Sequence, residues 1–238
     1  TCNLSFMPTD QNVADPKLGR FLPVQGYVPL RSDSPAVDKG NSSTCFGTTD
    51  QRGQARVGTC DSGAFEYVAP GAAAGAWPLS GDGQTGNPNR NYPLPLVAVI
   101  LDAGGNLVPG IQATFETPSS GATALFTQTG NHTQTVVTGT DGTATSSVLT
   151  ANNQLGKFSV SLAISGGASQ PIFTLENLMW TVSPAGSDSN TCKTPADPCQ
   201  TIQAAIGKAL AGDTIYVAEG TYTSSSSNEV VLITRRVS

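Results

Sequence analysis

A mostly β chain built around a central β-sandwich is predicted by three observations. The 238 residues carry 26 Gly and 16 Pro among many Ser, Thr and Asn, which cut the chain into short pieces and suit strands better than long helices. Apolar and polar residues alternate with period two in several runs between residues 78 and 178, as half-buried strands require. Length alone allows one to three domains, so organisation has to come from pattern. Only 12% of residues are charged and the net charge is -5. That combination lacks the clustered basic surface needed to bind phosphate, and nucleic acid is not an expected partner.

The central zone is the most regular. Residues 96–101 (LVAVIL) read as a strand and 102–106 (DAGGN) as a turn. Residues 111–115 place Ile111, Ala113 and Phe115 on one face. Strands are expected at 133–138 and 144–149, separated by an Asp141-Gly142 turn. Two more are expected at 157–164, with Phe158, Val160, Leu162 and Ile164 inward, and at 172–175. This spacing of strands and turns indicates a sandwich. Residues 69–77 (APGAAAGAW) are rich in small side chains and read as a linker. Trp77 is then free to dock on a neighbouring zone or to cover the sandwich base.

The motifs SGDGQTG, PLVAVILDAGGNLVPGIQATF and TGTDGTATSSVLTANNQLGKFSVSLAISG span nearly the whole of residues 78–178. They resemble the bacterial Ig-like domains of intimin and invasin adhesins. The resemblance implies a rigid spacer without an active site.

Residues 1–68 are short apolar stretches broken by turns, with DPKLG, SPAVDKG, TDQRG and CDSGAFEY in succession. This order resembles the choice-of-anchor Q segment that ends bacterial parallel β-helix surface proteins. It implies the last turns of a β-helix and brings no catalytic residue. Residues 179–238 begin with a Trp180-Thr181-Val182 stretch. They continue with Ile202, Ala205, Ile206, Ala209 and Leu210 at helical spacing, which predicts a short amphipathic helix near 200–211 stopped by Gly212. A strand followed by a turn is expected over 213–222, and a last apolar run covers 230–237. This zone resembles the N-terminal cap and first rungs of a right-handed parallel β-helix. The expected fold class is therefore an Ig-like β-sandwich flanked by two partial parallel β-helix segments.

Five cysteines are present, with no CxxC pair and a single histidine, His132, so a zinc site is not expected. Cys45 with Cys60 and Cys192 with Cys199 pair locally in polar loops, where buried free thiols would have little to pack against. A loop of the first kind contributes about 3 kcal/mol by the chain-entropy argument. Cys2 is left over for an intermolecular thiol bond. Sequons at Asn3, Asn41 and Asn131 are candidate glycosylation sites.

Chemistry has few other candidates. Asp15, Asp33, Asp38, Asp50 and Asp61 could supply carboxylates, but four of them lie in the turn motifs, where Asp caps turns through its side chain. Arg52 is expected to tie Asp50 or Asp61 into a local network. Asp82-Gly83 and Asp188-Ser189-Asn190 lack the ligand spacing of a calcium loop, and His132 is expected to be solvated. No catalytic residue, cofactor or metal is assigned.

No stretch reads as a membrane span. The chain opens at Thr1 without a signal peptide, which predicts a mature form or a fragment. The expectation is an extracellular or cell-surface spacer or adhesin. Its two β-helix pieces, an end before a beginning, would associate head to tail into filaments, with a surface polysaccharide or cell-surface molecule as a further partner. The alternative is a fragment of a β-helix enzyme that binds or cleaves polysaccharide with rungs outside this chain.

Overall fold

The computed structural model describes residues 15–40, 45, 47–165, 172–210 and 213–222. The chain is mostly β with one short helix. Cys2, Asn3, Asn41, Gly212 and residues 230–237 lie outside the described residues.

Two sheets face each other across one core. The first is three-stranded, in the order β1 (Ala73–Ser80), β3 (Val97–Asp102), β7 (Thr143–Thr145). The second is five-stranded, in the order β2 (Thr85–Gly86), β10 (Ile172–Asn177), β9 (Gly156–Ile164), β4 (Gln112–Glu116), β6 (Thr133–Val137). All pairs are antiparallel except β10 with β2. A short hairpin-like pair, β5 (Ala124–Phe126) with β8 (Leu149–Ala151), closes one end.

Alternation along β4 and β9 sends Ala113, Phe115, Phe158, Val160, Leu162 and Ile164 into the core. The opposing β1, β3 and β7 contribute the small Ala73, Ala76, Ala98 and Ala144 beside Ile100. Large side chains on one layer meet small ones on the other, which lets the layers interdigitate without voids. Phe115 sits at the centre, with Phe126 and Phe173 rings 6.2 and 6.1 Å away.

Three boundaries differ from the sequence reading. Residues 73–77 are not linker: they open β1, which pairs with β3 from Ala73↔Asp102 onward. The period-two run hidden in AAAGAW is masked by its small side chains. Residues 144–149 are not one strand but parts of β7 and β8, in different sheets. Ser146 bonds Leu96 through both its backbone N–H and its hydroxyl, and the Ser147 N–H turns to Gln134 Oε1. The helix α1 covers Ile202–Lys208, shorter than 200–211. Thr201 caps its start by accepting from Ala204 N, and Ala209 is already extended. Leu210 therefore leaves the helical register and is 58% exposed, while Ala205, Ile206 and Ala209 are buried.

The flanking zones are irregular. Described residues 15–68 hold no named strand, only turns and the antiparallel bridges Leu18↔Leu30, Leu22↔Tyr27 and Thr49↔Ala55. At the other end, β11 (Trp180–Val182) pairs in parallel with β12 (Ile215–Val217) through a connection that contains α1. Val182 also bridges in parallel to Cys199. Among the described residues no helix is long and apolar enough to cross a membrane.

Replacing Phe115 by Ala should cost about 3–5 kcal/mol, because the neighbouring rings cannot collapse into the space. The Val137→Ala change on the exposed edge strand should cost less than about 0.5 kcal/mol. Denaturant unfolding of the two variants checks the difference, and similar losses would contradict this core.

Candidate functional site

The most heavily bonded side chain outside the sheets is Arg52, and it lies where the N-terminal zone meets the sandwich. Its guanidinium is 6% exposed and pairs with the fully buried Asp50 carboxylate, Nε to Oδ2 at 2.8 Å. Nη2 donates to Glu66 O at 2.6 Å. Nη1 reaches across to the β3 turn, donating to Gly104 O at 2.7 Å and Asn106 Oδ1 at 3.0 Å. The guanidinium carbon stacks 3.6 Å from the Phe65 ring centroid, with Tyr27 on a further side at 5.7 Å. Arg's planar fork suits this role because donors and flat faces are both used.

The turn that Arg52 grips is built to receive it. Asp102 Oδ1 accepts from Gly104 N and Asn106 N, and Oδ2 accepts from Gly71 N. Gly105 takes a φ of 78°, and a Cβ there would stand 2.2 Å from the Tyr27 hydroxyl, which donates to Gly105 O. Beside this seam Leu22 is fully buried against Val99, Leu101 and Leu107, with Trp77 and Tyr27 packed on the same cluster. Trp77 thus docks on the N-terminal zone.

The five candidate aspartates do not gather around an open cleft. Asp15 accepts from Lys17 N and Asp33 pairs with Lys17 and Arg31 at the surface. Asp38 takes a left-handed φ of 56° and gives its N–H to Asp61 Oδ1. Asp61 also accepts from Tyr67 N. It does not bond Arg52, whose carboxylate partner is Asp50 alone. Glu66, which sequence reasoning passed over, links the group: it accepts from Asp61 N, Val57 N and Arg56 Nη1 and gives its own N–H to Asp50 Oδ2. Its signal was present as the one acidic residue inside the apolar end of CDSGAFEY.

These environments split the carboxyl groups. Burial pushes Asp50 up, but hydrogen bonds from Glu66 N and from the Arg52 side chain and N–H, with the Arg52 charge, hold it below its ordinary 3.8. Asp102 is likewise pushed up by burial and held down by Asn106, Gly71 and Gly104 donors. Asp61 goes the other way: burial raises it, the Tyr67 and Asp38 N–H groups pull it down, and the Glu66 and Asp38 charges raise it again, leaving it above its ordinary value.

The cysteine pairs Cys45–Cys60 and Cys192–Cys199 are disulfides. Cys192 and Cys199 are fully buried in the C-terminal cluster with Leu178, Trp180 and Val182. Asn131 is exposed in the turn between β5 and β6. His132, expected to be solvated, is half-buried with Nδ1 2.9 Å from Thr117 Oγ1. Asp188 caps the start of α1, accepting from Gln200 N, Thr201 N and Thr201 Oγ1. Asp82 Oδ1 accepts from Thr174 N. Among the described residues no group of three or more His, Cys, Asp or Glu gathers as a metal site.

No family model matches the chain. No curated protein matches it either. Among solved structures it is similar to the β-glucuronidase of Parabacteroides merdae, at 18% identity and a TM-score of 0.31, over 48% of this chain and 13% of that one. A second structure of that enzyme, with glycerol in its active site, gives 18% identity and a TM-score of 0.30 over the same shares.

Two outcomes follow from this seam. Arg52→Ala leaves the buried Asp50 carboxylate uncompensated and should cost about 3–5 kcal/mol; Arg52→Lys should recover little of it, since a point charge cannot reach four acceptors. Thermal unfolding and limited proteolysis of residues 15–68 check this, and a wild-type profile for Arg52→Ala would refute the clamp. For pH, Asp50 and Asp102 have folded values below their unfolded ones, so they stabilise above about 3.8 and that contribution is lost as pH falls through the folded values. Asp61 has the opposite sign, and its contribution fades as pH rises through its raised value. Stability should therefore drop on acidification below about 3.8 in the wild type and drop less steeply in Asp102→Asn.

Proposed function

We propose that the chain is an extracellular structural or adhesion protein, a stiff spacer whose end pieces associate head to tail. The observation that carries this reading is the Arg52 clamp. A buried cation bonded to both sides of a seam resists hinge motion, because opening would break its bonds to Gly104 O and Asn106 Oδ1. A spacer needs such joints, whereas a domain-closure mechanism needs the reverse.

The resemblances add the architecture: an intimin/invasin-type Ig-like sandwich over 78–178, extended by β1 to residue 73, between a choice-of-anchor Q end segment and a β-helix cap. The parallel pairing of β11 and β12 across α1 is the connectivity a first right-handed rung requires. β12 leaves Tyr216 and Val217 38% and 45% exposed, and the N-terminal zone exposes Phe21 and Val24 at 57% and 77%. A solenoid rung buries its apolar face only on a neighbour, and a repeated head-to-tail contact that does not close a ring makes a filament. The two disulfides fit an oxidising, extracellular setting.

Electron microscopy across a concentration series should show end-to-end polymers, and non-reducing electrophoresis should show Cys2-linked species that disappear in Cys2→Ser. Dispersed monomers at every concentration would rule out the filament part of the proposal.

A further inference from the structure

A groove of about 450 Å³ runs where the sandwich meets the C-terminal zone, lined by the loop from Asp82 to Asn87, by Asn91 and Pro93, and by Leu210 and Asp213. Its volume lies within the range of roughly 300–1,000 Å³ typical of small-molecule sites, which favour such junctions. Asp213 is 6% exposed and already spent: its oxygens accept from Trp180 Nε1 at 2.7 Å, Leu210 N at 2.8 Å and Thr85 Oγ1 at 3.3 Å. It fixes one wall.

The other wall is polar and unspent. Asn87 is 8% exposed, and its side-chain Oδ1 is buried without a hydrogen-bond partner among the described residues. An unmatched buried amide costs about 1–3 kcal/mol, which a fold does not ordinarily leave in place without use for it. Two neighbours also hold back polar atoms. Asn91 uses Oδ1 for Thr150 Oγ1 and keeps its N–H donors, and Asp82 uses Oδ1 for Thr174 N and keeps Oδ2.

We propose that this groove binds a neutral saccharide. The groove offers a carboxylate acceptor, amide donors and a mixed amide, which together match hydroxyls that both give and accept hydrogen bonds. Pro93 and Leu210 supply a small apolar rim for the C–H face of a sugar ring. The free Asp82 oxygen and the overall charge of -5 disfavour an anionic polysaccharide. The assignment deepens the adhesion half of the proposed function, rests on it, and is independent of filament formation.

Saturation-transfer NMR of the full chain with cellotetraose, mannotetraose and chitotetraose tests it, with tetralysine as a charged control. Transfer to at least one sugar is expected, with affinity reduced about tenfold or more in Asn91→Ala and in Asn87→Leu, the loss of one to two hydrogen bonds. Thr135→Ala, on the far sheet face, should bind as wild type. Asn91 is exposed, so Asn91→Ala keeps the test decisive if Asn87→Leu misfolds. No transfer to any sugar, transfer to tetralysine alone, or full affinity in Asn91→Ala would overturn the proposal, whether or not polymers form.

Discussion

Arg52 can be buried only if its donors are met, and the local structure follows from that requirement. Four acceptors take four of its five N–H donors: Asp50 Oδ2, Glu66 O, Gly104 O and Asn106 Oδ1. The first two belong to the N-terminal zone and the last two to the turn after β3. Withdrawal of the sandwich would keep the Arg52–Asp50 pair and break the two bonds to Gly104 O and Asn106 Oδ1. Leu22 and Trp77 add apolar area to the same contact, but area alone would permit sliding. The fork of hydrogen bonds fixes the register.

The C-terminal junction reaches a similar result with the sign reversed. There a buried carboxylate, Asp213, collects donors from Trp180 and Leu210 N within its own zone and from Thr85 on the sandwich. Leu178 N also bonds Gly86 O, continuing the main chain out of the sheet. A second side-chain tie to the sandwich is the ion pair of Lys193 Nζ with Glu176 Oε2 of β10, at 2.9 Å. This is also the junction that leaves a groove and an unspent Asn87 Oδ1.

Much of the sandwich was legible because burial imposes period two on β4 and β9, where bulky residues mark the inward face. Phe115, Val160 and Leu162 announce themselves. β1 did not, because its inward residues are Ala73 and Ala76, and alanine carries almost no periodic signal. Its small size is itself dictated by the phenylalanines opposite, a tertiary cause that no local window contains. The helix was legible in type but not in length: Leu210 fits the helical spacing, and only the Asp213 carboxylate taking Leu210 N shows that the chain has already turned away. The Arg52–Asp50 pair was readable from the TDQRG motif. Its reach to Gly104 and Asn106, 52 and 54 residues along the chain, was not.

Polar atoms are distributed differently at the two junctions of the sandwich. Along the Arg52 seam Asp50, Asp61, Glu66 and Asp102 all have their oxygens occupied by N–H donors, while Arg56 Nε is buried without a partner among the described residues. Networks of this kind rigidify, because any movement costs hydrogen bonds that water cannot replace. The wall of the groove carries the opposite signature, with Asn87, Asn91 and Asp82 each holding capacity in reserve. On the functional reading proposed above, stiffness and ligand contact fall at different junctions of the sandwich.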